Sequence, residues 1–152
     1  MERFFIPSLV WGAIFGGILG ILLLIPIIYP FIFFLMFIAS GIATVIILKK
    51  FNFAAVITIY DGCFIGAVSG FVSLIATSII YLPLAMIFGS FFALKGGYDL
   101  LAIFLLVFST ALLSALFNAF SAMVTAYVFE KLEANKISFS DHIDLEIEKY
   151  EE

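Results

Sequence analysis

Three long stretches of this chain are almost free of charge, and that feature decides its class. Between Ile6 and Leu48 there is no charged side chain, between Phe51 and Leu94 only Asp61, and between Leu100 and Phe129 none. A helix needs roughly 20 apolar residues to cross the bilayer hydrocarbon, so each stretch can span at least once. Because the stretches are continuously apolar, they lack the in–out alternation of a membrane β-barrel. Only 12% of the 152 residues are charged, about half of what a water-facing surface carries. The expected fold is therefore all-α: a polytopic membrane protein whose spans form a four-helix bundle.

Prolines, glycines and lysines divide the stretches. A first span is expected over about 7–25, opened by Pro7 and closed at Pro26. A second runs over 31–48 and stops at Lys49-Lys50. One helix from Phe53 to Leu82 would be about 45 Å long, more than the hydrocarbon thickness. Residues 51–61 are therefore assigned to the membrane interface and the third span to 62–82, with Pro83 ending or kinking it. Residues 83–94 are too few to cross, so they lie in the outer interface or re-enter. Lys95-Gly96-Gly97 forms a turn before a fourth span over 100–129.

Charge sets the orientation. With four spans and a cytoplasmic N-terminus, the cytoplasm receives Arg3, Lys49, Lys50, Lys131, Lys136 and Lys149, and the outside receives Lys95 alone. A five-span layout would move the three tail lysines outside, so four spans fit better, with both termini cytoplasmic in the cell membrane. The apolar stretch after Arg3 is too long for a signal peptide and lacks an Ala-x-Ala site, so the first helix is expected to stay.

The most specific pattern is a pair of glycine trios, Gly12, Gly16, Gly20 and Gly62, Gly66, Gly70. Residues four apart stay on one helix face. In a bilayer, helices gain little by hiding apolar side chains from lipid and associate where small residues let backbones approach. Both trios are thus expected to be helix-packing faces, within the molecule or between molecules. A shift of 50 residues superimposes them and also aligns Leu24-Ile25 with Leu74-Ile75, giving five identities in fourteen positions. That suggests two tandem helical hairpins related by an axis along the membrane normal, with the first and third spans parallel. The fourth span offers a matching stripe in two rows, Ala111, Ala115, Ala119 and Ser114, Asn118, Ala122, Ala126.

Few residues could carry chemistry. Asn118 lies within about two turns of the fourth span's midpoint, where its amide must find a partner. It serves either as interhelical glue or, with Ser114 and Ser73, as the polar lining of a path; Thr77 and Ser121 are further candidates for such a lining. Asp61 is an interfacial acid, hydrated or capping the third helix. Asp99 falls on the other side of the membrane, so the two form no acid/base pair. His142 stands among exposed carboxylates without a metal's ligand set. Cys63 is alone and reads as a small packing residue, and Trp11 and Tyr29 read as interfacial anchors. No metal site, cofactor motif or catalytic constellation is present, so the chain is expected not to be an enzyme. The tail, 130–152, carries a net charge of −5 against +1 for the rest, and the resulting −4 does not mark a nucleic-acid binder. The interleaved Ile143, Leu145 and Ile147 suit a short strand, a helix face or a solvated, partly disordered tail.

The run Asp61-Gly62, Gly66-Ala67 and Ser69-Gly70, with the glycine-rich first span, resembles small four-span prokaryotic membrane proteins classed as domains of unknown function. The resemblance covers the chain to about Phe129 and implies the same four-helix architecture, with no catalytic residues. These features lead to a non-enzymatic membrane module that packs through its glycine faces with itself, as a homo-oligomer, or with a membrane-protein partner. The alternative is a passive channel or small-solute transporter.

Overall fold

The computed structural model describes residues 2–25, 27–51, 53, 57–87 and 100–151, and their side chains except at 2, 3, 85, 86, 100 and 135–151. Every element among them is a helix: α1 Glu2–Leu22, α2 Tyr29–Met36, α3 Ala39–Lys50, α4 Ile59–Ile87 and α5 Leu100–Glu151. Three segments, Phe4–Leu22, Ile59–Leu84 and Leu101–Ala134, are long and apolar enough to cross a membrane. The pair α2 and α3 passes only jointly, and it is bent by 59°. The described residues therefore hold three candidate spans, or four if the bent pair is one.

Several boundaries differ from those expected. α1 begins before Pro7 and ends at Leu22. Its last turn tightens, with Leu24 and Ile25 N–H groups donating to the Ile21 and Leu22 carbonyls at 3.1 Å. Pro26, expected to end that span, lies outside the described residues. Pro30 sits in the first turn of α2, where a missing N–H costs nothing. The second span is not one helix over 31–48, because it breaks at Phe37–Ile38. Pro83 does not end α4, which continues to Ile87. A proline inside a membrane helix removes one hydrogen bond, and local adjustment can satisfy the freed carbonyl. Residues 88–94 and the Lys95-Gly96-Gly97 turn lie outside the described residues.

The start of α4 explains itself chemically. The Asp61 N–H donates to Thr58 Oγ1 at 3.2 Å, while the Asp61 carboxylate accepts from the Thr58 N–H at 3.2 Å and hydroxyl at 2.8 Å. That is a reciprocal capping box, with Thr58 as the cap and Asp61 in the first turn. The expected cap role of Asp61 thus passes to Thr58, and α4 starts at Ile59, not at Gly62. At the other end of the chain, α5 continues as a helix through the tail to Glu151. Its 52 residues correspond to about 78 Å, far more than the hydrocarbon thickness. Neither a strand nor a disordered tail is what the backbone adopts there.

α4 is the centre of the molecule. α1 lies against one of its faces and α5 against another, and α3 touches both α4 and α5. Two buried clusters mark the two ends of the bundle. One gathers Phe4, Val45, Leu48, Ile57, Ile65, Ala122 and Ala126. The other gathers Leu19, Leu23, Met36, Leu74 and Ala111. The start of α1, the end of α3, the start of α4 and the 126–129 region of α5 therefore meet at one end. Lys49 and Glu133 form an ion pair there. Large apolar side chains cover the outside, with Phe31 and Phe34 on α2 and Leu106 and Leu116 on α5 prominent among them.

Candidate functional site

At each glycine of the two trios a neighbouring helix comes so close that an added Cβ would meet it. Gly12 faces the Ser69 backbone, with the carbonyl oxygen 2.7 Å from the Cβ position. Gly16 faces the Ser73 backbone still more closely, and Gly20 the Thr77 backbone at 3.1 Å. The partners ascend together, so α1 and α4 run parallel. On α4, Gly62 meets Ala126 and Ala122, Gly66 meets Ala122 and the Asn118 carbonyl, and Gly70 meets the Asn118 side chain. Here the partners descend, so α4 and α5 are antiparallel. Both trios are covered by helices of their own chain.

That arrangement bears on the expected repeat. A shift of 50 residues equates Gly12 with Gly62, yet one packs on a parallel helix and the other on an antiparallel one. The packing does not repeat, although α1 and α4 are parallel.

The polar residues gather where α2 meets α3. Phe37 and Ile38 separate the two helices, and Ile38 precedes the first turn of α3. A helix end leaves N–H and C=O groups without intrahelical partners, and in an apolar surrounding each would cost several kcal/mol if left bare. Asn118 reaches into this gap. Its Oδ1 accepts from the Gly41 N–H at 2.7 Å, and its Nδ2 donates to the Met36 carbonyl at 3.1 Å. Nδ2 also lies 3.0 Å from the Ser114 carbonyl and 3.2 Å from Ser114 Oγ. Ser121 donates to the Ile38 carbonyl at 3.0 Å. One α5 face thus supplies partners for the Gly41 N–H and the Met36 and Ile38 carbonyls at the helix break.

Around this centre the packing is tight. Gly41 lies against the Asn118 backbone so closely that a Cβ there would collide with its carbonyl. Ser40 donates to the Ser69 carbonyl at 3.1 Å, tying α3 to α4, and Ser114 donates to the Gly70 carbonyl at 3.1 Å, tying α5 to α4. Asn118 is fully buried and Ser114 is 1% exposed, so this pair is enclosed, while Ser121 at the edge is partly exposed.

Ser73 does not join it. Ser73 lies on the face of α4 that receives α1, and its hydroxyl is buried without a hydrogen-bond partner among the described residues. Thr77, one turn on, donates instead to the Gly16 carbonyl at 2.9 Å. The three side chains proposed as a polar lining therefore split between two interfaces. A groove between α4 and α5, of about 530 Å³, is walled by Ile75, Ile79, Leu82, Phe104, Val107 and Phe108. Ser78, also on its wall, donates its hydroxyl to the Leu74 carbonyl.

Sequence reasoning overlooked Gly41, Ser40, Ser69 and the helix break itself. The adjacent Ser40-Gly41 pair was a readable signal, since sharp bends without proline occur at such pairs or where a side chain enters the hydrogen-bond ladder. Among the described residues no group of three or more His, Cys, Asp and Glu could hold a metal ion. No family model, curated protein or solved structure matches this chain.

Proposed function

We propose that this protein is a non-enzymatic module of the cell membrane, a bundle of four spans in which α2 and α3 together form the second. Both termini lie in the cytoplasm in this reading. It is supported by the common end shared by the start of α1, the loop after α3 and the 126–129 region of α5. Lys49, Lys50 and Lys131 lie at or just beyond that end, as the positive-inside rule favours for the cytoplasmic side. The observation that carries the proposal is that both glycine trios lie against backbone or side chains of the same chain. The trios then hold the module together, and contact with a second copy or a membrane-protein partner falls to surfaces other than the trios. Gly66→Leu separates this from assembly through the trios: it should unfold the protein in detergent or lipid, not convert a folded oligomer into a folded monomer.

The break at Phe37–Ile38 favours a second reading, a passive channel or small-solute transporter. Interrupted spans bring helix ends to the binding sites of many carriers. Against it stands the enclosure of Asn118, whose Nδ2 and Oδ1 are both hydrogen-bonded to the protein. Flux of ions and small solutes into liposomes is the test. Flux above that of empty vesicles, abolished by Asn118→Leu, would establish the second reading in place of the first.

A further inference from the structure

The bend in the second span has no proline to enforce it. The joint reads Met36-Phe37-Ile38-Ala39-Ser40-Gly41, and each of these residues can sit in a continuous helix. Phe37 stays near helical values, with φ −75° and ψ −13°, and Ile38 departs mainly in φ, at −126° with ψ −39°. In an unbroken helix the Met36 carbonyl would accept from the Ser40 N–H, and the Gly41 N–H would donate to the Phe37 carbonyl. Here both groups bond to the Asn118 amide instead. The side chain thus exchanges, one for one, with two bonds that the span could make within itself.

α2 is also lightly held. Met36 is its one buried residue, and Phe31, Phe34 and Leu35 face outward. Tyr29 and Ile32 are partly buried against the cluster of Leu19, Leu23 and Leu74, and ring contacts join Tyr29 to Tyr81 and, just past the end of α2, Phe37 to Phe117. Between α1 and α2 the N–H groups of Leu24, Ile25 and Ile28 make short i to i−3 bonds. α3 by contrast is anchored through Ser40, Gly41, Thr44, Val45 and Leu48, all buried.

We infer that the second span is a two-state element with Asn118 as its latch. In the bent state the amide stands in for the missing helix bonds. In the straight state the span makes those bonds itself, Asn118 keeps its bonds to Ser114, and α2 swings about Ile38 while α3 stays in place. The inference holds whether the protein is a module or a channel, because it concerns only which groups pair at the joint.

Spin labels test it. Labels at Phe31→Cys and Leu106→Cys report on α2 against α5, and labels at Ile46→Cys and Val124→Cys report on α3 against α5. All four sites are exposed, and Cys63 is replaced by alanine. Phe31 stands seven residues from Ile38, an arm of about 10 Å, so straightening by 59° displaces it by about 10 Å. In Asn118→Leu the Phe31–Leu106 distribution should shift or split by that order, while the Ile46–Val124 pair keeps its wild-type distance. An unchanged Phe31–Leu106 distribution beside an unchanged control pair would overturn the inference. So would a common change in both pairs, because Asn118 would then support the whole bundle. If Asn118→Leu does not fold, Asn118→Ser is read by the same two criteria, and its failure to fold would likewise overturn the latch.

Discussion

The α1–α4 and α4–α5 interfaces begin from the same device, three glycines spaced four apart, and end as different structures. Across α4–α5 the glycines receive Ala126, Ala122 and Asn118; Ser114 donates across the contact to the Gly70 carbonyl, and Asn118, beside it, bonds to α2 and α3 at the helix break. Across α1–α4 the glycines receive the backbone of Ser69, Ser73 and Thr77. There Thr77 finds the Gly16 carbonyl, but the buried Ser73 hydroxyl finds no partner among the described residues. Ser8, one four-residue step before Gly12, is likewise buried and unpartnered. Glycine spacing therefore encodes how close two backbones come. The facing residues decide whether that closeness brings hydrogen bonds with it.

The largest expected effect comes from adding a methyl group where the approach is closest. Gly16→Ala and Gly66→Ala place a Cβ against the backbone of Ser73 and Asn118, which cannot rotate aside as a side-chain tip could. Each should cost about 3 kcal/mol or somewhat less, the upper part of the overpacking range. Gly20→Ala meets its neighbours at 3.1 to 3.3 Å and should cost less. Gly17→Ala meets only the Ile80 Cδ1 atom at 3.4 Å and should be close to neutral. Reversible unfolding in mixed micelles gives all four values, and an equal response at Gly16 and Gly17 would break the account of the α1 face.

Next comes Asn118→Leu. It leaves the Gly41 N–H and the Met36 carbonyl without their amide partner, so a span that stays bent should lose about 1–3 kcal/mol for each of the two groups. A straightened span would recover part of that loss.

The two serines sharpen the comparison between the interfaces. Ser114→Ala removes a hydroxyl that donates to Gly70 and should cost about 0.5–1.5 kcal/mol. Ser73→Ala removes one that is buried without a bond and should be neutral or slightly stabilising. A loss at Ser114 and none at Ser73 in the same unfolding assay is the expected outcome, and a larger loss at Ser73 would contradict the reading of the α1 face. Smallest of all is Glu133→Gln. The Lys49–Glu133 pair is partly solvent-exposed, at 19% and 37%, so its loss should cost about 0.5 kcal/mol and shrink further with salt.

Much of the helical layout could be read from composition, because long uncharged runs admit few structures in a bilayer. The spacing of both trios and the small-residue row Ser114, Asn118, Ala122, Ala126 could be read as well, since both follow the helical period. Which helix covers which trio could not. That depends on the Ser69, Ser73, Thr77 row, whose four-residue spacing was as visible as that of the glycines but whose backbone, not side chains, makes the contact. The break at Phe37–Ile38 stayed hidden for a related reason. Its cause sits 80 residues away in Asn118, and local sequence gave only Ser40-Gly41 as a hint. Pro83, expected to end or kink the third span, does not end α4, because a proline that ends a helix in water can be carried within one in a membrane.

The central claim is that the glycine faces close within one chain, around α4. Unfolding of Gly66→Ala and Gly17→Ala, followed over a wide range of protein-to-lipid ratio, tests it most directly. The account predicts a large loss for Gly66→Ala that is the same at every dilution, with Gly17→Ala close to wild type. A loss at Gly66 that vanishes on dilution would place that face between molecules, and no loss at all would place it against lipid; either result would contradict the account.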